Sequence, residues 1–419
     1  MKSILHYVFP FLALALCLGC TPEETPAGDN GFDVRLDIPA EILVEADASS
    51  IELAVLEGKA PKQSDMMIFE GPAGQKFCKI LAATTSSVKV ELYDGLKAGQ
   101  HKISIQRGLD VKHLGSTKIS LKEAETLRLL HWNIQNGMWD GQNDGYGRFV
   151  AFVKSQDPDV CVWCEAQSIW KTDSDQKMAA KDRYLVENWG KLAARYGHEY
   201  WGIGGHRDNF PQVITSKYPI TYISKITGDE SDVIVTHGAG WATIEVNGKK
   251  VNIVTLHTWP QAYAYRAEDE EASIAEHGGD KYRAKEIQYI CEHTIGTVEN
   301  ASDQLWMMMG DFNSRSRVDN AVYGYADDDT RFLVHDYVRN NTPYIDVIKA
   351  QYPDKFIPSF RTKKSRIDFV YCTQPLYDRV THAEIIWDEY TTPVRDPQNL
   401  SNFWRPSDHL PILVDFDMR

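Results

Sequence analysis

The chain has 419 residues, 43% hydrophobic and 25% charged, the balance of an ordinary folded protein. That is longer than one average domain of ~100–200 residues, and it excludes a disordered chain, a collagen and a polytopic membrane protein. With 45 basic and 59 acidic residues the net charge is −14, so there is no global attraction to nucleic-acid phosphates. A nucleic-acid substrate would need a local basic patch.

Lys2 supplies a short basic start, and residues 4–18 form an apolar run too short to span a bilayer in the usual way, the pattern of a signal peptide. It ends at Leu16-Cys17-Leu18-Gly19-Cys20, which resembles a bacterial lipobox, with Cys17 where Leu is usual. The resemblance implies cleavage after residue 19 and lipidation of Cys20. The acidic residues of Thr21-Pro22-Glu23-Glu24 are similar to the export signal of surface lipoproteins. The expected location is the outer membrane or cell surface, with a periplasmic or secreted protein as the alternative, and membrane contact through the lipid anchor only.

Residues 20–31 are rich in Pro, Glu, Gly and Asp and read as a tether. Alternating apolar segments at 34–38, 51–55, 88–92 and 103–105, broken by Gly, Pro and Asp turns, predict a small β-sandwich domain over 32–122. No cluster of catalytic residue types falls in it. From 127 to 419 the texture is mixed α/β. Strands are predicted at 127–134, 160–164, 211–216, 241–246, 251–256, 306–309 and 367–372, with helices at 146–155, 183–196 and 281–294. Asn247-Gly248 is a hairpin turn between two of the strands. Cys161 and Cys164 have CxxC spacing, but on a strand the period of two places their sulfurs on opposite faces, which argues core packing over zinc or redox chemistry. Apart from Cys17 and Cys20, the five cysteines are an odd set that does not suggest a disulfide framework.

Polar residues gather where apolar strands are expected to end: Trp132-Asn133, Cys164-Glu165, Leu256-His257, Gly310-Asp311-Phe312-Asn313, Arg366-Ile367-Asp368 and Ser407-Asp408-His409. Strand ends present side chains to a crevice on a rigid sheet. Glu165, Asp408 and nearby Asp311 are hard oxygen donors that suit Mg²⁺ or Mn²⁺. Carboxylates with two imidazoles and neutral amides fit water attack on a phosphoester.

These motifs, with Ile214-Thr215-Ser216-Lys217-Tyr218-Pro219-Ile220, occur in an order that resembles the endonuclease/exonuclease/phosphatase superfamily. The resemblance implies a four-layered α/β/β/α sandwich with the site at one rim. It implies Glu165 as the main metal ligand, with Asp408 and Asn133 assisting, the latter through water. His409 would lie beside the phosphate, oriented by Asp368, and take the proton from water. Asp311 and Asn313 would position water and phosphate, with His257 as a second histidine. Many members carry an acid where this chain has Gln135, which can ligate through its carbonyl but adds no charge.

The expected activity is a metal-dependent phosphoesterase on a phosphorylated small molecule, sugar phosphate or lipid headgroup, acting as a monomer. Nuclease is the alternative enzyme, disfavoured because the loops at Asp140, Asp144 and Glu268-Asp269-Glu270-Glu271 are acidic. A non-catalytic binding protein on the same fold is the alternative of another class. His131, His206 and His237 belong to no motif and are expected to be ordinary structural histidines. Trp139 and Trp259 are expected either to stack on a substrate or to pack locally.

Overall fold

The structure, a computed structural model, describes residues 33–44, 48–57, 59–121, 126–169, 177–178, 188–395 and 403–419. The expected signal peptide, Cys20 and the tether lie outside these residues. The chain forms two compact units, one built on 50–91 and 101–117 and the other on 118–419. No helix among the described residues is long and apolar enough to cross a membrane.

The N-terminal region is all-β. Its seven-stranded sheet has the order Glu41–Val44, Asp110–Leu121, Gly99–Arg107, Met66–Gly71, Gly74–Ala83, Ser87–Glu91, Ser50–Ala54. Gly74–Ala83 pairs with Met66–Gly71 through its first half and with Ser87–Glu91 through its second, with a register irregularity between Ile80 and Ala82. The expected strand at 34–38 reduces to a single bridge, Leu36 to Val55, as Pro39 has no N–H to continue a ladder. The strands Met66–Gly71 and Gly74–Ala83 are not among the expected ones; in the second, residues 74–77 are all exposed and show no apolar alternation.

From Thr126 the chain builds two six-stranded sheets. The first runs Tyr200–Gly205, Gln212–Ser216, Val160–Cys164, Thr126–Asn133, Ile412–Asp417, Val380–Ile385. The second runs Tyr222–Ile226, Ala239–Val246, Lys249–His257, Leu305–Asp311, Asp368–Cys372, Ile345–Asp346. The four layers follow from side-chain alternation. Leu129, Val160, Val162 and Ile214 of the first sheet share one core with Ile253, Met307, Met309 and Val370 of the second. Their neighbours Leu130, Cys161, Trp163 and Val213 face outward onto Phe149 and Val153 of the helix Gly147–Gln156 and Trp189 and Leu192 of Trp189–Ala194. On the far side Val254, Trp306, Met308 and Tyr371 meet Ile287 and Ile290 of Gly278–Glu292 and Val334 and Val338 of Leu333–Asn341. Strands buried on both faces read as continuous apolar runs, which is why these elements were visible in the sequence. Residues 183–187 of the expected helix at 183–196 lie outside the described set.

Cys161 and Cys164 are buried free thiols. Cys161 joins the outer core, while the Cys164 thiol donates to the Leu256 carbonyl of the second sheet.

Arg366 ties the second sheet's edge together. It is 1% exposed and donates to Asp319 at 2.7 and 2.9 Å and to Asp346 at 2.7 and 2.8 Å. Removing one partner of a buried ion cluster leaves uncompensated charge and costs about 3–5 kcal/mol. Arg366→Met should therefore lower the unfolding free energy from denaturant titration by that amount; a loss below about 1 kcal/mol, the range of an exposed pair, would contradict the reading.

Candidate active site

The two sheets bring the polar motifs to one rim. Thr126–Asn133 and Val160–Cys164 run parallel with Asn133 opposite Cys164, so Asn133 and Glu165 leave their strands together. Lys249–His257 and Leu305–Asp311 are likewise parallel, with His257 opposite Asp311. Two motifs correct the expectation that all of them end strands: Asp368 begins Asp368–Cys372, and Ser407-Asp408-His409 precedes Ile412–Asp417. Each of these strands is antiparallel to its neighbour, Asp311 facing Asp368 and His131 facing Ile412. The start of an antiparallel strand lies at the same rim as its neighbour's end.

Glu165 and Asn313 stand at φ +54° and +45°, a region that non-glycine residues enter at a cost and that clusters at functional sites. Local bonds hold both turns. Glu165 Oε2 accepts from the Asn136 N–H at 2.9 Å, and Asp311 Oδ1 accepts from the Asn313 N–H at 2.9 Å. Asn133 is a bracket: its amide donates to Glu165 Oε1 at 3.2 Å and to Asp311 Oδ2 at 3.1 Å, while its oxygen accepts from Gln135 N–H. Gln135 turns its carbonyl to the Trp404 N–H at 3.0 Å, not toward the carboxylates, so the missing acid of this position is not replaced by its oxygen.

His409 Nδ1 meets Asp368 Oδ2 at 2.9 Å, and Asp368 in turn accepts from Ser359 Oγ at 2.7 Å. His409 Nε2 lies 3.7 Å from Asp311 Oδ2 and 3.8 Å from Asp408 Oδ1. Burial opposes charge on His409, but Asp368, Asp311 and Asp408 outweigh it and hold the imidazole pKa well above its usual value. His257 is the opposite case. Its Nε2 is 3.5 Å from Asp311 Oδ2, yet burial first, and then the neighbouring imidazoles of His237, His409 and His131, push its pKa well down. Burial raises the Asp311 carboxyl to about 7, with the Asp368 charge adding and the His409 charge opposing.

Glu165 is raised by burial and by repulsion from Asp408; Asp408 is itself raised by burial against the pull of His409 and Arg361. Two mutually repelling carboxylates, Asp408 buried and Glu165 half-buried, offer hard oxygens that fit a divalent cation between them. Asp311, Asp368 and His409 also gather ligand atoms within 4.8 Å of one another. In that cluster Asp368 already accepts from His409 and Ser359, whereas Glu165 and Asp408 have carboxylate oxygens that repel each other.

Several residues at the rim were not singled out in the sequence. Arg361 donates through Nη1 to Asp408 Oδ2 and stands over the Phe360 and Trp404 rings at 4.7 and 5.0 Å. Its loop is laced to the site, with Arg361 N–H on the Asp408 carbonyl and Leu410 N–H on the Ser359 carbonyl, each at 2.8 Å. The basic run Arg361-Thr362-Lys363-Lys364-Ser365-Arg366 was the available signal. Trp139 packs on Phe403 at 4.8 Å, and the Trp259 indole donates to the Tyr263 carbonyl, so both are held locally. Within the acidic run, Asp269 caps the helix Glu270–Ala275.

The chain belongs to the Endonuclease/Exonuclease/phosphatase family, whose profile matches residues 130–409, about two thirds of its length. Members are in general metal-dependent phosphoester hydrolases, nucleases among them. The fold is also similar to those of solved structures. The complex of D. rerio TDP2 with a single-strand DNA product is 15% identical with a TM-score of 0.45, covering 70% of this chain and 100% of that one. A truncated Caenorhabditis elegans TDP2 is 16% identical with a TM-score of 0.44, covering 70% and 98%. A family protein from Leptotrichia buccalis C-1013-b is 15% identical with a TM-score of 0.44, covering 70% and 100%. No curated protein matches the chain.

The electrostatics predict that His409 in the metal-free protein stays protonated through neutral pH. NMR titration of its ring should give a midpoint above the ordinary ~6.5, and Asp368→Asn should lower it, because the anion that favours the charged form is gone. An ordinary wild-type midpoint, unmoved by that change, would contradict the arrangement.

Proposed function

We propose that the protein is a divalent-metal-dependent phosphoester hydrolase acting on a small phosphorylated molecule or a lipid headgroup. The observation that carries this reading is the convergence of Glu165, Asp408, Asn133, Asp311, Asn313 and His409 at one rim, with charges that complement one another. Mg²⁺ or Mn²⁺ held by Glu165 and Asp408 would supply Lewis-acid polarisation of a phosphoryl oxygen. The remaining work falls to the chain. Asn133 fixes the facing oxygens of Glu165 and Asp311. Asp368 and Ser359 lock the His409 ring.

Proton transfer is assigned differently from the sequence expectation. A ring held protonated by three carboxylates is a poor base and a good partner for an anionic phosphate oxygen. Asp311, raised toward neutrality, is the better base for the attacking water. The water oxygen bonds to phosphorus as the ester P–O bond breaks, one water proton passes to Asp311, the leaving oxygen departs as the alcohol with a proton from solvent, and His409 supports the charge that builds on the phosphate.

The nuclease reading gains from a specific observation. Lys363 and Lys364 of the loop beside Asp408, and Arg315 two residues after Asn313, have no carboxylate ion-pair partner among the described residues. Cations without carboxylate partners near the site are the local feature that a nucleic-acid substrate would need.

With Mg²⁺ or Mn²⁺, wild type should hydrolyse generic phosphoesters, and Glu165→Gln should lose more than about 100-fold, beyond the loss from an outer-shell ligand partner. Full turnover by the variant in chelator would refute the reading, and plasmid nicking at a rate matching small-ester hydrolysis would promote the nuclease.

A further inference from the structure

A second imidazole backs His257. His237 is 3% exposed and lies against the His257 ring, centroids 4.4 Å apart and planes tilted by 39°. Its Nδ1 meets Asp208 Oδ2 at 2.7 Å. A carboxylate at Nδ1 fixes the proton there and leaves the Nε2 lone pair exposed to whatever lies on the other side of the ring. His257 has no such carboxylate: its Nδ1 is buried without a hydrogen-bond partner, and so is His237 Nε2.

Two further buried atoms nearby have no partner, Gln212 Oε1 and Thr255 Oγ1. The Gln212 amide reaches the His237 carbonyl at 3.4 Å, and Thr255 lies two residues before His257 on the same strand face. Buried polar atoms are nearly always paired, so this concentration marks a polar environment built for more than packing. The ring pair is also bolted in place. Glu286, fully buried, accepts from Thr236 N–H and from Trp259 N–H, both at 2.8 Å, and so joins the two segments that carry the histidines.

We propose that Asp208 and His237 form a positioning pair that sets the ring of His257 against Asp311. Asp208 holds His237, the ring contact transmits that orientation to His257, and His257 presents Nε2 to Asp311 Oδ2. His409 receives its carboxylate directly from Asp368, whereas His257 receives the influence of Asp208 through a second ring. The inference rests on the catalytic reading of Asp311 given above, and it assigns a role to a histidine that no sequence motif marks.

The test combines kinetics with a spectroscopic signal. On a chromogenic phosphodiester with Mn²⁺, Asp208→Asn and His237→Phe should each lower kcat about 10–100-fold, the size of a lost outer-shell orienting group, with KM within about twofold. His237→Phe keeps the aromatic contact, so full kcat in that variant would overturn the proposal. Adding His237→Phe to His257→Gln should cost nothing more, because the pair acts through His257; an additive loss overturns it. Independently of turnover, Asp208→Asn should shift the His257 ring ¹⁵N signals of the metal-free protein, and unmoved signals overturn the proposal. A wild type inactive on every ester tried would sink the hydrolase reading and leave the positioning pair to be decided by that NMR signal.

Discussion

The strand Leu305–Asp311 is paired parallel to Lys249–His257 and antiparallel to Asp368–Cys372, and its two registers set Asp311 opposite His257 on one side and opposite Asp368 on the other. Backbone ladders fix such neighbours far more rigidly than loops do. The second sheet thereby delivers the Asp311 carboxylate flanked by Asp368, which holds His409, and by His257, whose Nε2 lies 3.5 Å from Asp311 Oδ2. The first sheet delivers Asn133 and Glu165 from adjacent strand ends, and the shared core behind both sheets keeps the two rims in register.

From that placement the charges sort themselves. Three carboxylates face His409 and keep it cationic, while His257, among other imidazoles and buried, stays neutral. Asp311 lies between the two rings, with Oδ2 3.5 Å from one and 3.7 Å from the other. Environments that push titratable groups of one type apart mark acid–base assignments. Here they separate a charged histidine suited to an anionic phosphate from a carboxylate poised to take a proton. In the proposed reading Glu165 and Asp408, which repel each other, would hold the cation.

The four-layered fold was legible because strands covered on both faces read as unbroken apolar runs, as in Val160–Cys164 and Leu305–Asp311. The site was legible because its residues sit in short motifs beside those runs. What escaped has physical reasons. Strand direction is not written in a motif, so nothing in the sequence tells that Asp368 opens its strand and Asp408 precedes one, while Asn133 and Asp311 close theirs. Arg361 lay in a visible basic run, but net charge of the whole chain outweighed it in the reading. His237 carries no local signal at all: its partners Asp208 and His257 are distant in sequence and meet it only in the fold. Base strength followed environment too, since nothing in the order of residues tells that His409 is ringed by three carboxylates.

The most direct measurement is the position of Mn²⁺ by anomalous diffraction from crystals soaked at moderate concentration. The account predicts a peak between Glu165 and Asp408, with Asn133 bracketing it and His409 outside its coordination sphere. A peak centred instead on Asp311, Asp368 and His409 would contradict the assignment of charges, and with it the roles given to both histidines.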